Sequence, residues 1–237
     1  MLRLLAAIAA LLLLATPGLA QQRTQYVFAI SWQPAFCETA ERRPECRSQT
    51  EDRFDASHFA LHGLWPQRVD YCDVPRDQQL ADRDGDWSAL PAPDLGQATL
   101  EKLRDMMPGT QSGLERHEWL KHGTCYGEPA DAYFADALAM LEAVNASAVR
   151  DLFARSVGKQ LTQNQVRDAF DIAFGKGAGQ RVRLACERDG NRRLIAELTI
   201  GLTGEITAPA DYPRLTMAAR PTSGGCDSGL VDAVGLQ

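Results

Sequence analysis

The sequence lacks an excess of basic residues, which excludes one large class of function. Its 25 lysines and arginines stand against 31 aspartates and glutamates, giving a net charge of −6. Proteins that hold nucleic acid mainly through its backbone normally carry a basic surface. A general nucleic-acid-binding protein is therefore excluded, and chemistry on a phosphate would need a local cationic pocket.

Long apolar runs are also missing after the first residues. Residues 1–20 contain Arg3, an apolar run over 4–14 and small residues up to Ala20, the pattern of a secretory signal peptide. That run is shorter than the roughly 20 apolar residues of a transmembrane helix. We expect an exported protein, periplasmic or extracellular, that is free of the membrane once the leader is removed. Residues 21–237 are expected to form one domain.

None of the six cysteines stands in a C-x-x-C pair, which argues against a thiolate zinc site. An even number of cysteines in an exported chain favours disulfides, and spacing alone leaves their pairing open. The cysteines are Cys37, Cys46, Cys72, Cys125, Cys186 and Cys226.

The rest of the chain mixes strand-like and helix-like patterns without internal repeats. Residues 26–32 and 58–62 are typical of strands, and the chain on either side of the turn 189–191 predicts two more. Segment 69–96, rich in Asp, Pro and Gly, is predicted as a surface loop. A helical period is found in 98–107, 113–123, 130–145, 147–157 and 163–174. These elements predict an α+β fold with helices and an antiparallel sheet.

Histidine is scarce, yet two of the four histidines lie in residues 116–125, RHEWLKHGTC. On a helix, His117, Lys121, Glu118 and His122 would fall within an arc of about 140°. A solvated charged face is the ordinary interpretation of Glu and Lys at this spacing. The two histidines favour instead proton transfer beside an anion, because histidine exchanges protons near neutrality.

The same segment differs by one residue from the H-E-x-x-H motif of zinc proteases. That motif places its histidines about 40° apart on a helix, whereas His117 and His122 would be about 140° apart. Lys121 between them would also repel a cation. We therefore expect no metal ion and no other cofactor.

A second segment with histidines is HFALHGLWPQ at residues 58–67. On a strand, His58 and His62 would share one face, and Trp65 with Pro66 would form a rigid apolar wall suited to stacking a base. A hydrogen-bonded structural role is the favoured interpretation of His58. His62 is the candidate partner of the helix histidines, because a phosphodiester displacement needs both a base and an acid.

HGLWP at 62–66 and HEWLKHGTC at 117–125 resemble the two catalytic segments of the ribonuclease T2 family, in order and separation. The resemblance extends to SWQPAFC at 31–37 and to the placing of Cys72, Cys125, Cys186 and Cys226. It therefore covers most of the chain after the leader. It implies an α+β fold with a central antiparallel β-sheet, surrounding α-helices and disulfide bonds.

The resemblance also implies a role for each site residue. His122 would be the base and His62 the acid, while Glu118 and Lys121 would stabilise the pentacoordinate phosphate. His117 would bind phosphate. The pairing that the family pattern implies is Cys72 with Cys125, Cys186 with Cys226, and Cys37 with Cys46.

Two positions depart from what many members of the family show. Ser31 stands where a glutamine is common, and Gln67 follows Pro66 where aspartate is frequent. Both lie near the family's base pockets, where Trp65 would help hold a base. The base preference therefore stays open.

The sequence thus predicts a metal-independent endoribonuclease that acts as a monomer on single-stranded RNA. The 2′-hydroxyl of the substrate would attack the adjacent phosphorus, giving a 2′,3′-cyclic phosphate and then a 3′-phosphate, so DNA would not be cleaved. Two alternatives stay open. One is a secreted recognition or toxin-type protein that retains the fold, with RNA cleavage secondary, and the other is a zinc hydrolase.

Overall fold

The computed structural model describes residues 23–236, and the predicted signal peptide lies outside them. The strands are β1 (Tyr26–Ser31), β2 (Ala60–Pro66), β3 (Gln160–Thr162), β4 (Val182–Asp189), β5 (Arg192–Leu202) and β6 (Ser228–Leu230). The helices are α1 (Gln33–Thr39), α2 (Pro44–Arg47), α3 (Arg76–Asp84), α4 (Gln97–Met106), α5 (Leu114–Lys121), α6 (Ala130–Asn145), α7 (Ala148–Ala154), α8 (Gln163–Phe174) and α9 (Tyr212–Ala218). Among these residues no helix is both long and apolar enough to cross a bilayer.

The strands form one sheet in the order β2-β1-β5-β6-β3, with β4 paired to β5. All of these pairings are antiparallel except that of β5 with β6, which is parallel where Leu194 meets Leu230. The predicted α+β fold with a central antiparallel sheet is confirmed, with this one parallel contact added.

The core lies between the sheet and the helices that cover it. Strand β5 is apolar over most of its length and buries Leu194, Ile195, Leu198 and Ile200, each worth about 1.5–3 kcal/mol relative to exposure. Helix α6 adds the buried Tyr133, whose hydroxyl donates a 2.9 Å hydrogen bond to the backbone oxygen of Leu64 in β2. This bond fixes the HGLWP segment against the helical layer.

The predicted loop 69–96 is wrong in part, because helix α3 and a 3₁₀ turn at Trp87–Ala89 lie within it. Helix α3 buries a single residue, the polar Asp82. It therefore shows no apolar stripe from which a helix could be predicted. The acidic composition of this segment indicated a loop, but part of it forms an exposed helix that is anchored by one buried carboxylate.

Two predicted boundaries also shift. Strand β2 begins at Ala60 and contains all of HGLWP, so His58 precedes the strand instead of sharing a face with His62. The His58 ring stacks on Phe54 at 4.6 Å and its Nδ1 lies 3.1 Å from the Phe54 backbone oxygen, which confirms a structural role. Helix α5 ends at Lys121, so His122 follows the helix instead of lying on it.

The disulfides pair as the family resemblance implies. They join Cys37 to Cys46, Cys72 to Cys125, and Cys186 to Cys226. The bond from Cys72 ties the chain that follows HGLWP to the residues just beyond His122. It therefore links the two segments that carry the candidate site.

Helix α6 ends at a buried asparagine that serves the fold. Asn145 is 8% exposed. Its amide accepts a 2.9 Å bond from the backbone nitrogen of Phe59 and donates a 2.9 Å bond to the backbone oxygen of the same residue. These two bonds satisfy the backbone one residue before strand β2 begins.

Candidate active site

The fold brings the two predicted segments together at one end of α5. Trp65 of β2 lies between two histidine rings, with centroid distances of 5.1 Å to His62 and 5.6 Å to His122. The ring of His117 lies 6.2 Å from that of His122. The residues predicted from sequence thus form one cluster.

A bulge in the sheet presents His62 to this cluster. Leu61 pairs with Ile30 and Gly63 pairs with Ala29, so His62 has no partner in β1. An extra residue of this kind bends a strand locally and re-aims its side chain, and it is frequent beside active sites. The orientation of His62 therefore depends on the bulge as well as on strand alternation.

Gly63 allows α5 to approach β2 closely. A Cβ atom at this position would lie 2.0 Å from Oε2 of Glu118 and 2.5 Å from Nε1 of Trp65. No side chain fits there without moving one of these groups. The glycine is thus required by the contact between the two segments.

Glu118 is almost fully enclosed, with 1% exposure. Its Oε2 accepts a 2.7 Å hydrogen bond from Nε1 of Trp65, and its Oε1 lies 3.7 Å from Nε2 of His62. Burial raises the pKa of Glu118 to about 7, although His62, Trp65 and Lys121 each lower it. At mildly acidic pH this carboxyl is mostly protonated and can donate a hydrogen bond.

His62 lies between two carboxyl groups. Besides Glu118, it contacts Glu197 of β5, whose Oε2 is 2.5 Å from Nδ1. Burial by itself would lower the pKa of His62, but the hydrogen bond to Glu197 and the charges of both glutamates outweigh it and raise the pKa. The surroundings therefore favour the charged imidazolium.

His122 has the opposite environment. Burial, together with the smaller effects of the nearby Lys121, His117 and His62, lowers its pKa to about 3. Its Nδ1 is buried and has no hydrogen-bond partner among the residues described. His122 is thus a neutral imidazole over the pH range in which His62 is charged.

His117 is held by a residue from the segment that was predicted to be a loop. Its Nδ1 lies 2.7 Å from Oδ1 of Asp82, and its ring stacks on Trp87 at 4.3 Å. The Tyr71 hydroxyl donates a 2.7 Å bond to the other Asp82 oxygen. Burial lowers the pKa of His117, and Asp82 opposes that shift.

Two open cavities adjoin the histidines. One of about 260 Å³ includes His62, Glu197 and Trp87 in its lining. The other, of about 330 Å³, includes Trp65, Lys121 and His122. A polymer could therefore extend from the cluster in more than one direction.

Three of these side chains carry atoms of the kind that bind metal ions. Donor atoms of His117, Glu118 and His122 lie within 4.8 Å of one another, so the sequence spacing does not keep them apart in space. Lys121 lowers the pKa of both histidines, and the positive potential that does so would also repel a divalent cation. The expectation of no metal stays a prediction.

Sequence reasoning missed Asp82, Trp87 and Glu197. Glu197 left a signal, since it is a lone acid inside the apolar strand segment LIAELTIGL. Such a residue in a buried strand needs a partner. Asp82 left none, because it is one of several acids in ADRDGD.

A family model and several known proteins resemble this chain, and all of them are ribonucleases. The sequence matches the model of the ribonuclease T2 family over residues 23–211. Ribonuclease I of Escherichia coli is 29% identical over 231 residues, covering 87% of this chain and 85% of that protein. Ribonuclease 1 of Arabidopsis thaliana is 25% identical over 181 residues, covering 70% and 69%.

Solved structures share the fold at low identity. Trichomaglin, described as an S-like ribonuclease, has a TM-score of 0.59 at 16% identity and covers 90% of this chain and 100% of its own. The self-incompatibility-associated SF11 ribonuclease of Nicotiana alata has a TM-score of 0.55 at 18% identity, covering 86% and 95%. With the family match over most of its length, this chain belongs to the ribonuclease T2 family.

Proposed function

We propose that the protein is an exported, metal-independent endoribonuclease that cleaves single-stranded RNA by transferring the phosphate to the ribose 2′-oxygen. The observation that carries this proposal is the contrast between two neighbouring histidines. The hydrogen bond and charge of Glu197 favour the charged form of His62, whereas burial and Lys121 keep His122 neutral. A displacement at phosphorus needs an acid and a base at the same pH, and these two side chains provide them.

In the first step, His122 takes the proton of the 2′-hydroxyl. That oxygen forms a bond to the adjacent phosphorus, and the bond from phosphorus to the 5′-oxygen of the next nucleotide breaks. His62 gives its proton to the departing 5′-oxygen. The products are a 2′,3′-cyclic phosphate and a free 5′-hydroxyl.

Charge on the pentacoordinate phosphorus is met by the groups around it. Lys121 contributes a positive charge, and Glu118, protonated at mildly acidic pH, can donate a hydrogen bond to a phosphoryl oxygen. His117, anchored by Asp82, is placed to bind phosphate. Donors that are fixed before the reaction stabilise developing charge at little reorganisation cost.

In the second step, the cyclic phosphate is hydrolysed with the roles exchanged. His62, now neutral, takes a proton from water, and the water oxygen attacks phosphorus. The bond from phosphorus to the 2′-oxygen breaks, and His122, now charged, gives its proton to that oxygen. A 3′-phosphate results.

Export and a single catalytic domain are part of the same proposal, and other features of the chain support them. Residues 1–20 have the pattern of a signal peptide. Three disulfides join residues within 23–236, and such bonds persist in oxidising compartments. We propose a periplasmic or extracellular monomer with one catalytic domain over residues 21–237.

The test is to incubate the purified protein with RNA, with DNA of the same sequence, and with RNA plus a chelator, and to identify the termini. The protein should cleave RNA equally well with and without the chelator and should leave DNA intact. A cyclic phosphate should appear before the 3′-phosphate. His62→Ala and His122→Ala should each lower kcat by about 10²-fold to 10⁴-fold. His58→Ala is the matched control, because it removes a histidine near His62 in sequence whose ring stacks on Phe54 and contacts the backbone oxygen of that residue.

Each alternative function has its own outcome in this experiment. A zinc hydrolase would lose activity with the chelator and regain it with added zinc. A recognition protein would leave RNA intact or cleave it equally well in both histidine variants. Cleavage of DNA would also reject the mechanism, because DNA has no 2′-hydroxyl.

A further inference from the structure

Glu197 reaches His62 across an intervening strand. Strand β1 lies between β2 and β5, and its Ser31 pairs with Glu197 on one side and with Ala60 on the other. Ser31, His62 and Glu197 line the same cavity, so they share one face of the sheet. The small side chain of Ser31 leaves room for the glutamate to span the gap.

The contact is short and directional. Oε2 of Glu197 lies 2.5 Å from Nδ1 of His62, and the other ring nitrogen, Nε2, faces Glu118 at 3.7 Å. A hydrogen bond to Nδ1 determines which nitrogen of the ring exchanges its proton with a substrate. Here the carboxylate holds the Nδ1 hydrogen and leaves Nε2 for proton transfer.

We propose that Glu197 is a positioning residue for the reaction: it fixes the ring of His62 so that Nε2 donates its proton to the leaving 5′-oxygen. This proposal rests on the proposed function of His62 as the acid. Glu197 itself touches no reacting atom, and it acts through the orientation and the protonation of the histidine.

The charged groups around His62 agree with this role. Glu197 on β5 and Glu118 on α5 stabilise its charged form, whereas Lys121 on α5 opposes it. His117 and His122 lie on the far side of Glu118 and Trp65, and both are less basic than an ordinary histidine. Glu187 of β4 and Arg43 line the same cavity as Glu197. Because Glu118 is mostly protonated below pH 7, Glu197 supplies the main negative charge that keeps the acid protonated at mildly acidic pH, and its removal takes that charge away.

The test compares Glu197→Gln and Glu197→Ala with the unmodified protein. Glutamine keeps an acceptor for the Nδ1 hydrogen but removes the charge, so the alkaline limb of the kcat/KM profile should move to lower pH. Alanine should shift that limb and also lower kcat by about 10-fold or more, with the full loss of a general acid, about 10²-fold to 10⁴-fold, as the upper limit. KM should change little in both variants.

A change of leaving group distinguishes positioning from a structural effect. Nucleoside 3′-(4-nitrophenyl phosphate) esters release a phenolate that needs no acid, whereas dinucleoside phosphates release an alkoxide that does. Both Glu197 variants and His62→Ala should cleave the nitrophenyl esters of all four nucleosides at rates close to the unmodified protein. His122→Ala should stay defective on both substrates, because the attacking hydroxyl still needs a base.

Asp136→Asn is the matched control. Asp136 is a partly buried carboxylate that accepts a 2.7 Å hydrogen bond from the Tyr126 hydroxyl. Its substitution by asparagine should leave the pH profile unchanged. Equal losses on both substrates in the Glu197 variants, or an unmoved alkaline limb, would overturn the positioning role. Failure of the unmodified protein to cleave RNA would instead reject the proposed function.

Discussion

Nε1 of Trp65 donates a 2.7 Å hydrogen bond to Oε2 of Glu118, and this bond joins strand β2 to helix α5 inside the site. It compensates one oxygen of a carboxyl that is 1% exposed. Buried polar groups that lose such a partner are costly, by about 1–3 kcal/mol. The tryptophan of HGLWP therefore fixes the buried glutamate of the HEWLKHGTC segment.

Trp65→Phe keeps an aromatic ring and removes this donor. The bond lowers the pKa of Glu118, so its loss should raise that pKa further and reduce the free energy of unfolding by about 1–3 kcal/mol at pH 8. Urea denaturation measures the change. In a protein that already carries Glu118→Leu, which has no acceptor for the indole hydrogen, Trp65→Phe should cause a smaller loss of stability, and full additivity would mean that the bond contributes nothing.

Burial of Glu118 should make stability fall as pH rises. The folded pKa is about 7 against an ordinary 4.5, so the folded state binds more protons than the unfolded state between these values. Glu118→Gln should remove that dependence and stabilise the fold at pH 8 by up to about 3 kcal/mol, at about 1.4 kcal/mol for each pH unit between the two pKa values. At pH 4 the two proteins should unfold at similar urea concentrations. A less stable variant at pH 8 would contradict the assignment.

Gly63→Ala should disrupt the site directly. Its Cβ would collide with Glu118 and Trp65, so we expect kcat/KM to fall by at least 10²-fold, in the range of losing a catalytic group, and the melting temperature to drop. Gly201→Ala is the matched control in strand β5, since its Cβ would approach Thr24 no closer than 3.5 Å. Equal behaviour of the two variants would show that the close contact at Gly63 is not needed.

The profile of kcat/KM against pH should be bell-shaped, and Lys121 should control its acidic side. Activity rises as His122 loses its proton and falls as His62 loses its own. Lys121 lowers the pKa of His122, so Lys121→Ala should move the acidic limb to higher pH. It should also lower kcat more than it raises KM, because the charge acts chiefly in the transition state. Lys102→Ala, at an exposed lysine paired with Glu142, should do neither.

The disulfides should differ in their effect on activity. In the chain-entropy relation the Cys72–Cys125 bond, which spans 53 residues, contributes about 4 kcal/mol, and the 9-residue Cys37–Cys46 bond contributes about 2.5 kcal/mol. Replacing Cys72 and Cys125 by alanine should lower the melting temperature more and should also reduce kcat, because the bond lies next to His122. Replacing Cys37 and Cys46 should leave kcat near its original value at temperatures where the protein is folded.

The two histidine-containing segments and the disulfide framework were predictable because each depends on residues that are close in sequence or on a recognised pattern. His117, Glu118 and His122 come together through local chain geometry at the end of α5. The partners of the histidines were not predictable in the same way. Glu197 lies 135 residues after His62, and Asp82 lies 35 residues before His117. Such contacts depend on how separate elements pack.

The prediction of secondary structure failed where a helix has polar residues in place of an apolar stripe. Helix α3 buries only Asp82, and its role is to bring that carboxylate to His117. A helix whose buried face is one acid has no hydrophobic period to detect. The bulge at His62 was also invisible, because it appears only when β2 is paired with β1.

The buried Asn145 has a consequence for producing this protein in another host. Residues 145–147 form an Asn-Ala-Ser tripeptide, which matches the acceptor motif for N-linked glycans in eukaryotic secretory cells. A glycan added to the nascent chain would replace one of the two hydrogens on the nitrogen that bonds Phe59, and its bulk could not be enclosed at a site that is 8% exposed. Removing the acceptor with Ser147→Ala would delete the side chain that caps helix α7, at a cost of about 1 kcal/mol. In a bacterial host with an oxidising compartment the disulfides can form, and this asparagine stays unmodified and can be buried as the chain folds.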